Sequence, residues 1–278
     1  MSATSTLSAT EIAAVTQHNR EVWNRCAATY AEVFEALTSV AIPTILDLVG
    51  AGRDVDLLDV GTGPGSLIGP ATDRGARVRA VDLAPEMVEV ARRRHPAVQI
   101  DVAEASSLPH GGASFDAVTL GFCLHHAADP RAVLDEAYRV LRPGGRIAFA
   151  VWAAEDELEA FGIAFNAFAG VVAVDGVPAQ QPPPIGATTR DHERLLIRAG
   201  FQHTMARKLD LAWAVTTAAT MLDGFTRFLG LGDLSDSQRQ DITQRLDKAI
   251  HDHAGSDGVA RLANPAIVAA GRKPPTAR

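Results

Sequence analysis

The sequence predicts an α/β protein in which a doubly wound, mostly parallel sheet of seven strands carries a helical cap inserted after the fifth strand. Five short apolar runs alternate with helical patterns between residues 55 and 151. The first run enters a turn with glycines at alternate positions, 61, 63 and 65. Beyond residue 152 the alternation weakens, which indicates helices inserted among the last strands.

The N-terminal part is predicted to be helical. Apolar residues recur at spacings of three, four and seven from residue 11 to residue 48, and Pro43 separates a second helix over 44–49. We expect residues 1–50 to form a lid of helices. Packing against the body of the protein would be sufficient to explain Trp23 and Tyr30.

Five strands follow in order, each with a helical pattern after it. They are predicted over 55–60, 77–81, 98–102, 115–120 and 146–151. Pro85 suits the first turn of the second helix, and Asp129 with Pro130 forms an N-cap and first residue for the fourth. Parallel sheets bind ligands beyond the carboxyl ends of their strands, so residues 51–152 are expected to form a cofactor-binding core.

The second half is predicted to supply the last strands and the cap, over residues 153–278. Strand character at 201–213 and 264–271 completes the sheet. Helices are expected over 158–174, 190–199, 216–229 and 235–253, and a loop contains Pro178 and Pro182-Pro183-Pro184.

Composition excludes several partners. The 278 residues are 47% apolar and carry a net charge of −7, so neither nucleic acid nor an anionic membrane surface is expected as the main partner. Cys26 and Cys123 are far apart and lack metal-ligand spacing, so no metal site or disulfide is predicted. No apolar run reaches the length of a bilayer, and we expect a cytoplasmic protein without membrane insertion, as a monomer or a homodimer.

The glycine turn and three acids point to a nucleoside-type ligand. Glycine allows positive φ in a tight turn and close approach of a ligand to the backbone. Asp82 ends the second strand, where a carboxylate accepts hydrogen bonds from both ribose hydroxyls. Glu104 follows the third strand and could accept from an adenine amine, and Asp59 could meet an ammonium group. NAD would fit Asp82 equally well, although its G-x-G-x-x-G pattern would need glycine at Ser66.

A series of motifs carries a family resemblance. They are LLDVGTGPG at 57–65, VDLAPEMVEVAR at 81–92, AEASSLPHGGASFDAV at 103–118, LHHAADP at 124–130 and RVLRPGGRIAFAVW at 139–152. In this order the sequence resembles class I S-adenosylmethionine-dependent methyltransferases, specifically the small-molecule branch similar to the UbiE-like quinone-biosynthesis enzymes. The resemblance implies a Rossmann-like fold, S-adenosylmethionine as cofactor and S-adenosylhomocysteine as product.

The same resemblance assigns residues to the cofactor. Glycines and neighbours of the turn would line its methionine and ribose portions, and Asp82 would bind the ribose. The full set of implied cofactor residues is Tyr30, Asp59, Gly61, Thr62, Gly63, Gly65, Asp82, Leu83, Met87, Glu104, Ala105 and Phe122. The family commonly has aspartate where Glu104 stands.

Methyl transfer is an in-line displacement that a protein promotes largely by alignment in a closed, dry pocket. A base is needed only if the acceptor must lose a proton, and His125 and His126 are the candidates, although packing or cofactor contact would also explain them. Trp152 ends the fifth strand and is expected to bind a small, largely apolar acceptor, together with Phe161 and Phe165, whose helical spacing equally fits core packing.

Three functions are therefore compared. The first is a methyltransferase that acts on a small metabolite. The second is an S-adenosylmethionine-binding protein that acts as a cyclase or regulator, because binding motifs and chemistry are separable. The third is an NAD-dependent dehydrogenase, which offers no role for Glu104.

Overall fold

The computed structural model describes residues 7–173 and 185–276. Its main sheet has seven strands in the order β3-β2-β1-β4-β5-β9-β6, and β7 and β8 form a separate two-stranded sheet. The strands are β1 Asp56–Val60, β2 Arg77–Asp82, β3 Gln99–Val102, β4 Phe115–Gly121, β5 Leu141–Trp152, β6 Gln202–Leu209, β7 Ala212–Val215, β8 Ala260–Ala263 and β9 Ala266–Arg272. Strands β1 to β5 pair in parallel, and β9 runs antiparallel between β5 and β6. The predicted fold class is confirmed.

Helices cover both faces of the sheet. They are α1 Ala9–Cys26, α2 Tyr30–Val33, α3 Glu35–Thr38, α4 Ile42–Val49, α5 Ile68–Asp73, α6 Pro85–Arg94, α7 Pro130–Val140, α8 Glu159–Phe168, α9 Thr189–Arg198, α10 Ala218–Phe228 and α11 Asp236–His253. Local signals fix their ends: Asp129 Oδ1 accepts from the amides of Arg131 and Ala132 at the start of α7, as its sequence predicts. Among the described residues, none of these helices is long and apolar enough to cross a membrane.

Alternate residues of the central strands build two cores. Leu57, Ala117 and Ala148 point into a core shared with α4, α8, α10 and α11. Their chain neighbours Leu58 and Val118 point into the opposite core, which α7 and α9 cover. Because both faces are buried, the central strands are mostly apolar, and this is why they could be found from sequence.

Strand order reverses between β1 and β4, so the carboxyl ends of these two strands border a crevice. The turn after β1 is fixed at that crevice because the amides of Gly61 and Thr62 both donate to the carbonyl of Val81, at 2.9 and 3.0 Å. This bonding places the turn beside the end of β2.

The second half differs in detail from the sequence prediction. The helix predicted over 158–174 ends at Phe168, and Gly170 at φ +74° follows it. The strand predicted over 201–213 is divided at Asp210-Leu211 between two sheets. Of the cap, only α8 directly follows β5, whereas α10 and α11 lie between β6 and β9. The predicted loop with Pro178 and Pro182-Pro183-Pro184 lies outside the described residues.

Candidate active site

Three cavities adjoin one another at the carboxyl ends of the strands. The open cavity lies over Gly61, Gly63 and the end of β2. The aromatic chamber lies between α8 and α10. The narrow cleft lies over Asp59 and Thr62. Tyr30 and Phe122 line all three, so a ligand that fills one cavity meets the others at these two side chains.

The glycines of the turn have different roles. Gly63 has φ +54° and lines the open cavity and the narrow cleft, and a Cβ there would meet no heavy atom of the described residues within 4 Å. Gly61 has φ +68°, and its Cβ would lie 2.5 Å from Cβ of Cys123. Gly65 lines none of the three cavities, because it packs against His95. The turn therefore forms a cradle free of side chains at Gly63, whereas Gly65 serves packing.

Asp82 presents a fixed carboxylate at the end of β2. Its Oδ2 accepts from the amide of Gly63 at 2.7 Å and its Oδ1 from the amide of Ala84 at 2.9 Å. The residue is only 8% exposed, and burial raises the pKa of the carboxyl group. Leu83 and Met87 line the same open cavity. The arrangement can accept two neighbouring hydroxyl groups and offers apolar contact beside them.

Asp59 is buried at the narrow cleft. Its Oδ1 accepts from Oγ1 of Thr119 at 2.8 Å. Burial raises its pKa to about 6, and the charge of Asp82 adds to that effect. Oγ1 of Thr62 is also buried there. These groups can receive an ammonium and a further polar group of a ligand.

Glu104 and Ala105 follow β3 and line the far end of the open cavity. Oε1 of Glu104 accepts from Oγ of Ser106 at 2.8 Å and from Oγ1 of Thr16 at 3.4 Å. Because two hydroxyls orient it, the carboxylate is held for hydrogen bonding at this end.

Helix α1 covers the open cavity, and its residues at this cavity are not among the cofactor residues predicted from the sequence. Thr16, Asn19 and Trp23 line the cavity. Nδ2 of Asn19 donates to the carbonyl of His126 at 2.5 Å, and Oδ1 of Asn24 accepts from the amide of Glu86 at 3.1 Å. The spacings of three and four from residue 16 to 23 put these side chains on one helix face, and two polar groups on that face were the available signal.

The aromatic chamber contains all three predicted acceptor residues, Trp152, Phe161 and Phe165. Phe122 packs against Trp152, with ring centroids 4.2 Å apart and ring planes inclined by 36°. The other aromatic residues of its wall are Trp23, Tyr30, Phe34, Phe225 and Phe228. The remaining lining residues are Thr38, His125 and His126, so the described lining contains no aspartate, glutamate, lysine or arginine.

Phe122 has a backbone conformation that is unusual for a bulky residue. Its φ is +56°, and its amide donates to the carbonyl of Ala150 at 2.9 Å. Positive φ in an aromatic residue is strained and persists only where the surroundings hold it. This backbone conformation directs the ring to the junction of the three cavities.

His125 and His126 lie side by side with ring centroids 4.0 Å apart, and both line the aromatic chamber. Burial and the neighbouring His126 and His192 lower the pKa of His125 well below its usual value, and burial lowers the pKa of His126 to about 4. Both rings are therefore neutral near pH 7, when an imidazole offers one hydrogen-bond donor and one acceptor. Such rings can orient an acceptor and are weak bases.

Comparison with known proteins assigns the core to a family. Residues 58–149 match the family model Methyltransf_11, described as a methyltransferase domain. This segment is a methyltransferase domain. It contains the end of β1, the glycine turn, Asp82, Glu104 and the His125-His126 pair. The resemblance to class I methyltransferases predicted from the motifs is confirmed.

Curated relatives of the methyltransferase domain match part of their length. A demethylmenaquinone methyltransferase of Renibacterium salmoninarum is 38% identical over 106 residues, which are 38% of this chain and 45% of that protein. A malonyl-acyl-carrier protein O-methyltransferase of Salmonella typhimurium is 33% identical over 127 residues, 46% of this chain and 50% of that protein. The chain thus spans about half the length of the curated relatives it matches.

Solved structures share the fold over more of the chain. The YcgJ protein of Bacillus subtilis has a TM-score of 0.57 at 19% identity and covers 84% of this chain and 98% of its own. Phosphoethanolamine N-methyltransferase 2 of Haemonchus contortus, in complex with S-adenosyl-L-methionine, has a TM-score of 0.52 at 18% identity and covers 84% and 52%. At these identities the likeness concerns the fold alone.

Proposed function

We propose that this protein transfers a methyl group from S-adenosylmethionine to a small, largely apolar acceptor held in the aromatic chamber. The observation that carries the proposal is the junction at Tyr30 and Phe122. There, an open cavity with acids at its ends meets a chamber whose described lining contains no charged side chain. A nucleoside and an apolar acceptor can thus approach each other at one point.

The residues of the open cavity and narrow cleft fit S-adenosylmethionine. The carboxylate of Asp82, fixed by two backbone amides, would hold the ribose hydroxyls, and Glu104 with the backbone of Ala105 would hold the adenine edge. The cradle at Gly63 leaves space that a Cβ would fill. The raised pKa of Asp59 describes a buried carboxyl without a cation, and an ammonium of the ligand would stabilise its charged form.

Alignment is the main contribution of the chain to the reaction. When bound, S-adenosylmethionine would supply a methyl carbon activated by its positive sulfur, and the chain's own residues would align an acceptor atom with that carbon. Tyr30 and Phe122 flank the junction where the acceptor atom must lie. The apolar chamber walls exclude water, so water does not compete with the acceptor for the methyl group.

The histidines would act on the acceptor side. Each presents a neutral ring to the chamber, so either can accept a hydrogen bond from an acceptor and orient it. Their lowered pKa values make them poor at taking a proton before the methyl group moves. We propose that they position the acceptor, and that one of the two neutral imidazoles takes its proton only as the new bond forms.

Helix α1 would act as the lid that the sequence analysis expected from residues 1–50. Its contacts through Thr16 and Asn19 reach the loops after β3 and β4, and Asn24 reaches the first turn of α6. On the other side, α8 and α10 supply the chamber walls, in keeping with an acceptor cap within residues 153–278 and a cofactor core over 51–152.

Calorimetric titration of the full chain with S-adenosylmethionine, S-adenosylhomocysteine and NAD tests the cofactor. Binding of the first two but not NAD is expected. Asp82→Ala should weaken binding at least about 10-fold, because hydrogen bonds to a charged group are each worth about 1.5–3 kcal/mol. Asp101→Ala is the matched control, since this acid on β3 lines none of the three cavities.

Turnover is tested separately with a panel of hydroxylated and amino-substituted aromatic acceptors. Release of S-adenosylhomocysteine with one of them is expected. Failure to bind S-adenosylmethionine would contradict the proposal. Binding without turnover on any acceptor of the panel would favour the alternative of a binding protein with another role.

A further inference from the structure

The narrow cleft lies between two walls that come from different parts of the chain. One wall is the glycine turn, where Pro64 and Ser66 line the cleft. The other wall is the helical segment 30–38, whose Tyr30 and Thr38 line the cleft and share a hydrogen bond of 3.4 Å between their hydroxyl groups. The shape of the cleft therefore depends on how this helical segment is held against the turn.

Glu35, the first residue of α3, joins the two walls. Its Oε1 accepts from Oγ of Ser66 at 2.5 Å. Arg94, the last residue of α6, donates to both carboxylate oxygens, from Nη1 to Oε1 at 2.8 Å and from Nη2 to Oε2 at 3.2 Å. Nη1 of Arg94 also donates to the carbonyl of Pro64 at 3.4 Å. We call Glu35, Arg94, Pro64 and Ser66 the clasp. A two-pronged pair of this kind fixes orientation as well as distance.

The clasp holds the turn on both sides of Gly65, because Pro64 and Ser66 flank this glycine. Gly65 itself packs on His95, where an added Cβ would lie 2.8 Å from Cδ2 of the imidazole. His95 directly follows α6. The end of α6 and the start of α3 together therefore contact every residue from Pro64 to Ser66.

The clasp gives a role to a departure from the dinucleotide-binding pattern. Ser66 stands where G-x-G-x-x-G would need glycine. A glycine at this position would have no hydroxyl group to donate to Glu35. The serine thus connects the turn to α3 in a way that the dinucleotide pattern does not allow.

Packing holds the helical segment 30–38 in the fold without help from the clasp. Val33, Phe34 and Leu37 of this segment are buried in the core. The side chains of Glu35 and Arg94 remain 22% and 35% exposed, and ion pairs with such exposure contribute little to stability. The clasp therefore contributes orientation of the segment more than stability of the fold.

The carboxyl group of Glu35 is charged near neutral pH. Partial burial raises its pKa, but the hydrogen bonds from Arg94 and Ser66 outweigh burial and hold the pKa below its usual value. The carboxylate can thus keep both partners throughout the neutral range.

We propose, on the basis of the function proposed above, that Glu35 is a positioning residue for the amino-acid end of S-adenosylmethionine. Through the clasp, its carboxylate fixes Tyr30 and Thr38 against the glycine turn and so sets the shape of the narrow cleft. Neither Glu35 nor Arg94 lines any of the three cavities, so their effect on the ligand passes through the residues that they hold. Binding groups must be kept within about 0.5 Å of their productive positions, which is the precision that a clasp can supply.

Calorimetry of the full chain with two thioethers tests the proposal. S-adenosylhomocysteine has the amino-acid end, whereas 5′-methylthioadenosine has the same nucleoside and a neutral sulfur without it. Glu35→Ala should weaken binding of S-adenosylhomocysteine about 2- to 12-fold, because a displaced cleft forfeits about one hydrogen bond to the ligand. Binding of 5′-methylthioadenosine should be unchanged, since its ribose and adenine would lie in the open cavity. Glu89→Ala, which breaks an exposed pair with Arg93 on α6, is the matched control and should change neither affinity.

A second set of variants tests the route through Ser66. Ser66→Ala removes only the hydroxyl group and should cause the same selective loss. Because both substitutions break one shared bond, the double variant Glu35→Ala, Ser66→Ala should bind S-adenosylhomocysteine no more weakly than Glu35→Ala alone. Glu35→Gln retains an acceptor oxygen and should recover part of the loss. If Glu35→Ala does not fold, Glu35→Gln and Ser66→Ala provide the comparison.

Several results would overturn the inference. Equal weakening of both thioethers would show that Glu35 supports the whole site, and unchanged affinities for both would show that the clasp does not act on the cleft. Losses that multiply in the double variant would show that Ser66 acts on the ligand independently of Glu35. A wild type that binds both compounds equally would show that the cleft does not receive the amino-acid end. The proposed function fails separately, when the wild type does not bind S-adenosylmethionine.

Discussion

Replacing Asp59 by asparagine changes one buried charge at the centre of the site and should have opposite effects on stability and on binding. In the fold this carboxyl group accepts a hydrogen bond from Thr119 and is 2% exposed. The amide oxygen of asparagine can accept the same bond. The substitution therefore removes the charge and retains the main contact.

The magnitude follows from the pKa. The pKa of Asp59 is raised from 3.8 to about 6 in the folded protein. At 1.36 kcal/mol per unit of pKa, this difference between the folded and the unfolded pKa corresponds to about 3 kcal/mol. Below pH 3.8 the carboxyl group of Asp59 is protonated in both the folded and the unfolded chain, and its burial does not destabilise the fold. As pH rises from 3.8 through about 6, the fold loses stability because the unfolded chain releases this proton first. Above pH 6 the charged carboxylate thus costs the fold about 3 kcal/mol, and Asp59→Asn should regain much of it.

Urea unfolding of the wild type and Asp59→Asn between pH 4 and pH 8 measures the effect. The variant should be more stable at pH 8, and the difference should vanish towards pH 4. His125, His126 and His192 have lowered pKa values and destabilise the fold as pH falls below about 6.5, but they do so in both proteins and cancel in the difference. Asp135→Asn, in an exposed pair with Arg131, is the control and should change stability by under about 1 kcal/mol.

The binding half of the experiment uses the same variant. If the carboxylate of Asp59 receives the ammonium of S-adenosylmethionine, Asp59→Asn should bind this ligand at least about 10-fold more weakly. A variant that is less stable than the wild type at pH 8, or one whose stability difference does not change with pH, would refute the reasoning about the buried charge.

Two further predictions concern the turn and the lid. Gly61→Ala should lower the free energy of unfolding by about 2–5 kcal/mol, because its Cβ would overlap Cys123 at positive φ. Gly63→Ala should lower it by only about 1–2 kcal/mol, yet it should abolish calorimetric binding of S-adenosylmethionine. Equal stabilities of the two variants would contradict this prediction. Asn24 holds α1 in place through a hydrogen bond to the amide of Glu86 but does not line the open cavity. Asn24→Ala removes this bond and should raise the dissociation rate of S-adenosylhomocysteine about 2- to 12-fold in stopped-flow fluorescence. An unchanged rate would argue against ligand release by opening of α1.

The parts of the fold that sequence predicts best are those with local signals. Strands β1 to β5 are short apolar runs, and Asp129 caps the helix that it precedes, so their places follow from neighbouring residues. The two-stranded sheet of β7 and β8 was missed because Trp213 and Leu262 pair over a long sequence separation. No short pattern distinguishes a strand of the main sheet from one in this separate sheet.

The candidate site divides in the same way. Gly63 and Asp82 were predicted because their chemistry is tied to the turn and the strand end, and both line the open cavity. Gly65 belongs to the same motif but packs on His95, since the motif does not reveal which glycine faces the ligand. Trp23 has the spacing of a packing residue and lines two cavities, because its neighbours come from elements far along the chain.

Phe122 gives the site an adjustable dimension. A side chain is needed at this position to separate the open cavity from the aromatic chamber, yet the backbone conformation there suits glycine. Exchange for glycine would relax the peptide and merge the compartments, so part of the loss in packing would be offset by relief of torsional strain. We expect a substitution at Phe122 to alter the size range of accepted molecules with a smaller loss of folding stability than a substitution at a wall residue with ordinary torsion angles.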